Sequence, residues 1–270
     1  MRLERILDLV YQKPWAITPA KHQAIQALLE SHLAGNILPT FDKEEEEAEP
    51  FVIVGNVGVI NVEGVILGKA SALEMMCGAF SCELFRRDLR ALAAKEEVES
   101  IILNISSGGG TVTGVPETAD LISEISKVKP VYAYTNDCIA SAAYWLASQT
   151  RGIFLSKSAE IGSIGVYCAL LDVTEAFKQQ GLKLELFKAG TYKAMGIAGK
   201  SLTDEERQIL QDGVVKTYNQ FVGYVTSKRP KVTIDICQGQ MFDAPDAVVS
   251  GLADGIVNEI DDLVAFLNGK

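Results

Sequence analysis

The sequence predicts an α/β fold built on a mostly parallel sheet, and three observations carry that expectation. After residue 50, short strand-like apolar runs alternate with stretches of helical periodicity, the pattern of βαβ units. The run ESIILNIS (99–106) is continuously apolar, as a strand covered on both faces must be. The composition, 48% hydrophobic and 22% charged over 270 residues, is that of a globular chain with a sizeable core.

Taken in order, Leu3, Ile6, Leu7 and Val10 recur at helical spacing, as do Ile25, Leu28 and Leu29 after the candidate cap Thr18. They read as an N-terminal helical arm. DKEEEEAEP (42–50) follows as a solvated charge run, so residues 1–49 are arm and acidic linker and 50–270 are the core. FVIVGNVGVINVEGVIL (51–67) is β-branched, glycine-punctuated and strand-like. In GKASALEMMCGAFSCELF (68–85), Met75, Met76, Cys77 and Phe80 either pack on the core or wall a site for a peptide or a neighbouring subunit.

Phe85, Leu89 and Leu92 mark one face of a helix within 82–95, and Val115, Ala119, Ile122 and Ile125 mark another. PVYAYTN (130–136) reads as a strand and the alanine-rich segment from Ser141 as a helix. GIFLS (152–156), SIGVYCALL (163–171) and LKLELF (182–187) read as strands, with a helix near 172–180. Thr203 and Glu206 form a capping box for a helix to about residue 227. Its Leu210, Val214, Tyr218, Phe221 and Val225 read as core-facing.

Several function classes fall away. A net charge of -10 with no basic stripe argues against nucleic-acid binding, which needs clustered Lys and Arg. The five cysteines, Cys77, Cys82, Cys138, Cys168 and Cys237, are an odd number without tight spacing, which suits free thiols in a reducing compartment. No second Cys/His pair completes a zinc site, so no metal or cofactor is expected. No run approaches the ~20 apolar residues of a membrane span, and Glu4 and Asp8 interrupt the N-terminal apolar stretch. A soluble, cytoplasmic protein without a membrane anchor is expected.

Ser141 stands among small side chains where a helix begins, as a nucleophile or as a packing residue. A nucleophilic serine needs a base and an oxyanion hole. The two histidines, His22 and His32, both precede the acidic linker, so a Ser-His-Asp triad within the core is excluded on inventory. Lysine is the remaining base, and it works only where desolvation keeps the amine uncharged. FKAGTYKAMGIAG (187–199) sets Lys193 among Tyr192, Ala194, Met195 and Ile197 with few charges nearby, although alone it also reads as a surface loop lysine. SSGGGTVTG (106–114) follows a buried strand, and its glycines let backbone N–H groups approach a carbonyl. It lacks the spacing of a GxGxxG or Walker phosphate loop.

This order of parts resembles the Ser/Lys peptidases of the signal peptide peptidase A (protease IV) family, and most nearly the soluble phage and prophage members of the minor capsid protein C type. The family's Ser-Pro-Gly-Gly falls on Ser107, Gly108, Gly109 and Gly110, and Ala-Ser-Gly-Gly-Tyr on Ala140 to Tyr144. Gly-Ser-Ile-Gly-Val is intact at Gly162 to Val166, Gly-x-Tyr-Lys is Gly190 to Lys193, and Gly-Leu-Val-Asp appears as GLADGI from Gly251. Gly108 replaces the loop proline, and Ala142 and Ala143 replace two glycines beside the serine.

The resemblance implies a Clp protease–crotonase-like fold of repeated ββα-type units. It assigns Ser141 as nucleophile and Lys193 as general base. Gly110 and Ala142 supply the oxyanion N–H groups beside Gly109, and Ser163 orients the lysine unless it is simply a turn serine. It implies a homo-oligomer acting on a polypeptide, such as a capsid, portal or scaffold protein, in the bacterial host cytoplasm or phage prohead. Two other readings stand beside it: a crotonase-type acyl-CoA enzyme on the same fold, and a catalytically silent structural component of a phage head.

Overall fold

The computed structural model describes residues 15–19, 23, 50–71, 74–75 and 78–269. The expected arm helices, both histidines, the acidic linker, Met76 and Cys77 lie outside the described residues.

The main sheet takes the strongest apolar runs. Its strands are β2 (Phe51–Val54), β3 (Val57–Glu63), β6 (Ser100–Ser106), β8 (Val131–Thr135), β10 (Gly152–Leu155) and β13 (Gly255–Ile256). They lie in the order β13-β10-β8-β6-β3-β2, parallel except where β2 folds back on β3. β6 is central, and its Ile101, Ile102, Leu103 and Ile105 are buried, as the unbroken apolar run requires.

Four strands of this sheet are each followed by a short strand in a second layer. These are β4 (Val65–Leu67) after β3, β7 (Gly109–Thr111) after β6, β9 (Cys138–Ala140) after β8 and β11 (Glu160–Gly162) after β10. β4 pairs with β5 (Ala79–Ser81) and with β7, while β11 pairs with β9 and with β12 (Met241–Asp243). A Ser107–Ile139 bridge joins the two short sheets.

Helices close the units: α1 (Cys82–Ala93), α2 (Val115–Val128) and α3 (Ala142–Ala147). The repeated strand, strand, helix sequence is the ββα architecture that the resemblance implied. Ser81 caps α1, its hydroxyl accepting from the Leu84 N–H at 3.5 Å, and Phe85, Leu89 and Leu92 bury the predicted face. α3 is buried on every side, which sets the end of β9 deep in the molecule.

Beyond β11 the chain forms α4 (Thr174–Gln179), the long α5 (Asp204–Lys228), α6 (Ala244–Val249) and α7 (Ile260–Leu267). α5 opens with the predicted capping box, Thr203 and Glu206 bonding reciprocally. Its role differs from the expectation. Only Phe221 and Val225 among its apolar residues are buried, so the C-terminal third packs on the core and the rest projects. LKLELF is not a strand either. It has no partner strand among the described residues, and Phe187 is 91% exposed. In 163–171 only Tyr167 makes a β-bridge, to Trp15.

That bridge belongs to an element the sequence reading did not foresee, β1 (Trp15–Ile17), which lies antiparallel on β7 and is buried. No helix among the described residues is long and apolar enough to cross a membrane.

Candidate active site

Ser141 occupies the turn between β9 and α3. Its N–H donates to the Gly162 carbonyl at 2.8 Å, and its own carbonyl accepts the Trp145 N–H, the first bond of α3, at 2.9 Å. The reversal within one residue forces φ to 56° and ψ to -119°. Among the described residues only Ser141 and Ser163, at φ 51°, are non-glycine residues with positive φ. Such a backbone persists only where its surroundings over-determine it. Here they do. Trp145 stacks on Phe221 of α5 at 4.6 Å and 6°, and the Tyr144 hydroxyl donates to the Leu252 carbonyl at 3.1 Å. The Ser141 Oγ is buried and has no hydrogen-bond partner among the described residues.

The glycine loop lies against this turn. The Ser107 hydroxyl donates to the Gly64 carbonyl at 2.6 Å and accepts the Gly109 N–H at 3.1 Å, fixing the loop that leaves β6. Gly109 has φ 98°, and a Cβ there would stand 2.2 Å from the Ala16 carbonyl oxygen and 2.9 Å from the Ser141 Cβ. A Cβ on Gly110 would meet the Ile66 carbonyl oxygen at 1.9 Å. Close approach of backbones therefore demands glycine at both positions and leaves the wall beside Ser141 free of side chains. The Gly109 N–H is taken by Ser107. Ala142 opens α3, and its N–H is a first-turn donor without an intrahelical acceptor.

Ser163 follows Gly162, whose carbonyl holds the Ser141 N–H, and its own N–H donates to the Gln240 carbonyl at 2.6 Å. Tyr167 lies further along this segment, where burial pushes its phenol up to about 12. The structure thus gathers Ser141, Gly109, Gly110, Ala142 and Ser163 into one place. Lys193 sits exposed in a turn after Gly190 (φ 93°), and it makes no hydrogen bond to the Ser141 Oγ, which has no partner among the described residues.

The GLADGI signature serves the scaffold. Asp254 accepts the Ile153 N–H of β10 at 2.7 Å and pairs with Arg229 at the end of α5. Two contributors escaped the sequence reading: Tyr167, and the strand Trp15–Ile17. A short β-favouring run between Pro14 and Pro19 was the available signal for the strand.

The chain is similar to capsid assembly protease C of Escherichia phage lambda, 29% identical over 82% of this chain and 51% of that protein. It is similar to the head-tail preconnector protein of Enterobacteria phage P21, 27% identical over 79% of this chain and 43% of that protein. Protease 4 of Salmonella typhi is 26% identical over 78% of this chain and 34% of its own length. A crystal structure of an enoyl-CoA hydratase/isomerase family member superposes with a TM-score of 0.43 at 16% identity, covering 82% of this chain and 76% of that one. The chain spans about half the length of the curated phage relatives it matches. The family model "Peptidase family S49" matches residues 123–268, more than half of the chain and inclusive of Ser141, Ser163, Lys193 and GLADGI. The chain belongs to peptidase family S49.

Proposed function

We propose that the chain is a serine endopeptidase in which Ser141 is the nucleophile and Lys193, supplied by a second copy of the chain, is the general base. One observation carries the reading: a serine strained at a strand-to-helix turn, with an unbonded Oγ, faces a glycine wall that leaves room for a peptide carbonyl.

The Ser141 Oγ attacks the scissile carbonyl and its proton passes to the neutral Lys193 Nζ. The Gly110 and Ala142 N–H groups hold the oxyanion. Collapse breaks the C–N bond, and the leaving amine takes the proton from Lys193. Water then hydrolyses the acyl-serine by the same proton path, and Ser163 positions the lysine.

Exposed apolar surface around Lys193 supports the second copy. Lys193 belongs to the segment 163–203, which carries Leu171 at 73% and Phe187 at 91% exposure, apolar surface of the kind a neighbour covers. Docking against Ser141 of another copy would exclude water from the amine, the condition under which lysine acts as a base. The printed names of the two phage relatives support polypeptides of the phage head as substrates.

The test is digestion of an unfolded protein by wild type, Ser141→Ala and Lys193→Ala, read by mass spectrometry. Wild-type cleavage lowered about 1,000-fold or more by each substitution is the expected result. Cleavage that survives Ser141→Ala would sink the reading.

A further inference from the structure

We infer that β1 is a resident substrate-like strand: residues Trp15 to Thr18 fill the peptide cleft of their own chain, with the Ala16–Ile17 bond presented to Ser141. The inference rests on reading Ser141 as the nucleophile. It adds what occupies the cleft, and what polypeptide the cleft takes once that occupant leaves.

The Ser141 Oγ is buried and without a partner among the described residues. Buried hydroxyls are almost always bonded, so an orphan one needs an account. A nucleophile must also be reached by substrate and water, and this one is covered. Across Gly109 from it lies β1, whose Trp15, Ala16 and Ile17 are 2%, 0% and 3% exposed.

The strand is held on both edges, as a captured peptide is. On one side it runs antiparallel to the glycine strand β7, pairing Trp15 with Thr111, Ala16 with Gly110 and Ile17 with Gly109. The Thr18 N–H donates to the Gly108 carbonyl at 2.9 Å. On the other side Trp15 and Tyr167 exchange both backbone bonds, at 2.9 and 3.1 Å. Hydrogen-bonded pairs alternate along an antiparallel ladder. Thr18–Gly108 is one such pair, so Ala16–Gly110 is the next. The Gly110 N–H, the oxyanion donor of the proposed mechanism, is thereby turned onto the Ala16 carbonyl. The space of a single missing Cβ, at Gly109, separates that carbonyl oxygen (2.2 Å) from the Ser141 Cβ (2.9 Å). The carbonyl, the donor and the serine stand where a substrate bond would be placed for attack.

Two consequences follow. With no hydrogen bond from the Ser141 Oγ to an uncharged Lys193, the Ala16–Ile17 bond stays intact and β1 acts as a cover. Any polypeptide must displace a competitor tethered to the same chain, whose effective concentration is on the order of millimolar. The occupant also states the specificity: an extended segment with an alanine-sized residue on the acyl side of the bond, flanked in sequence by a bulky apolar residue before and after it.

The test uses a fluorescein-labelled peptide KPWAITPA, the sequence of residues 13–20, and the full chain. In a Ser141→Ala background, where nothing is cleaved, adding Trp15→Asp and Ile17→Asp ejects the strand. Fluorescence anisotropy is then expected to show peptide binding about tenfold or more tighter than to Ser141→Ala alone. Equal binding to both, or binding to neither, overturns the inference. With Ser141 intact, the double-aspartate chain is expected to cut the peptide between alanine and isoleucine, faster than wild type. A cut elsewhere overturns the register. If the double-aspartate chain does not fold by circular dichroism, Thr18→Pro, which deletes the N–H bonded to Gly108, gives the same ordering with a smaller change.

The two readings fail separately. Tight peptide binding with no cleavage by any Ser141-intact chain would sink the peptidase and leave the strand assignment. Ser141-dependent digestion of protein substrates, indifferent to the strand substitutions, would sink the strand assignment and leave the peptidase.

Discussion

At the scale of single residues, the site is governed by backbone positions that few side chains tolerate. Gly109 shows it most sharply. Its φ of 98° excludes an ordinary side chain, and a Cβ would meet both the Ala16 carbonyl and the Ser141 Cβ. Gly109→Ala is expected to lower protein digestion about 100-fold or more while costing about 1–3 kcal/mol of stability, read by turnover and by urea unfolding of the same preparation. Ser141 works in the opposite sense. Its buried, unbonded hydroxyl is a cost to the folded chain, so Ser141→Ala is expected to raise stability by about 1 kcal/mol while removing activity. Unchanged or lower stability in urea would mean that the hydroxyl has a partner. Ser141 and the glycine loop were legible in the sequence, because order and spacing along one chain locate them. The strain at Ser141 and Ser163 was not, because it arises where β9 and β11 meet across the fold.

At the scale of elements, the nucleophile turn is held by a helix of six residues, too short to be stable without packing. Its anchor is Trp145, stacked on Phe221 and tilted against Tyr224 at 5.4 Å. Phe221→Ala is expected to cost about 3–5 kcal/mol and to loosen Ser141, measured as a lower melting temperature together with a lower kcat. The far end of α5 is controlled by charge. Lys200 bonds both carboxylate oxygens of Glu206, at 2.6 and 2.7 Å, and the Thr203 N–H donates to the same group. Those bonds, the lysine's first, hold the Glu206 carboxyl below its ordinary 4.5. A depressed carboxylate stabilises the fold above its unfolded value and loses that contribution as pH falls through the folded one. Melting profiles between pH 6 and pH 3 should therefore fall more steeply in wild type than in Glu206→Gln. Parallel profiles would remove the carboxylate from the account. Capping box and helix were readable because both signals are local. LKLELF misled because its alternation describes a strand that finds no partner among the described residues, and Trp15–Ile17 was missed because three residues carry no period.

At the scale of the whole molecule, the chain divides the proposed chemistry between two places. The core fixes Ser141 and its glycine wall, while Lys193 rides on an exposed, apolar-bearing segment that leaves the core after β11 and returns at α5. Under the proposed mechanism a chain built this way is complete only when copied. If each site takes its serine from one copy and its lysine from the next, two inactive variants repair one another. Ser141→Ala and Lys193→Ala, mixed in equal amounts and reassembled, leave about a quarter of all sites with both groups intact, provided the copies mix at random. Recovery of about a quarter of wild-type digestion is therefore expected from two preparations that are each silent. Wild-type activity per chain should also fall on dilution, as the copies separate by mass action. If the two groups met within one chain, no mixed site would contain both, and the mixture would stay as silent as its components at every concentration.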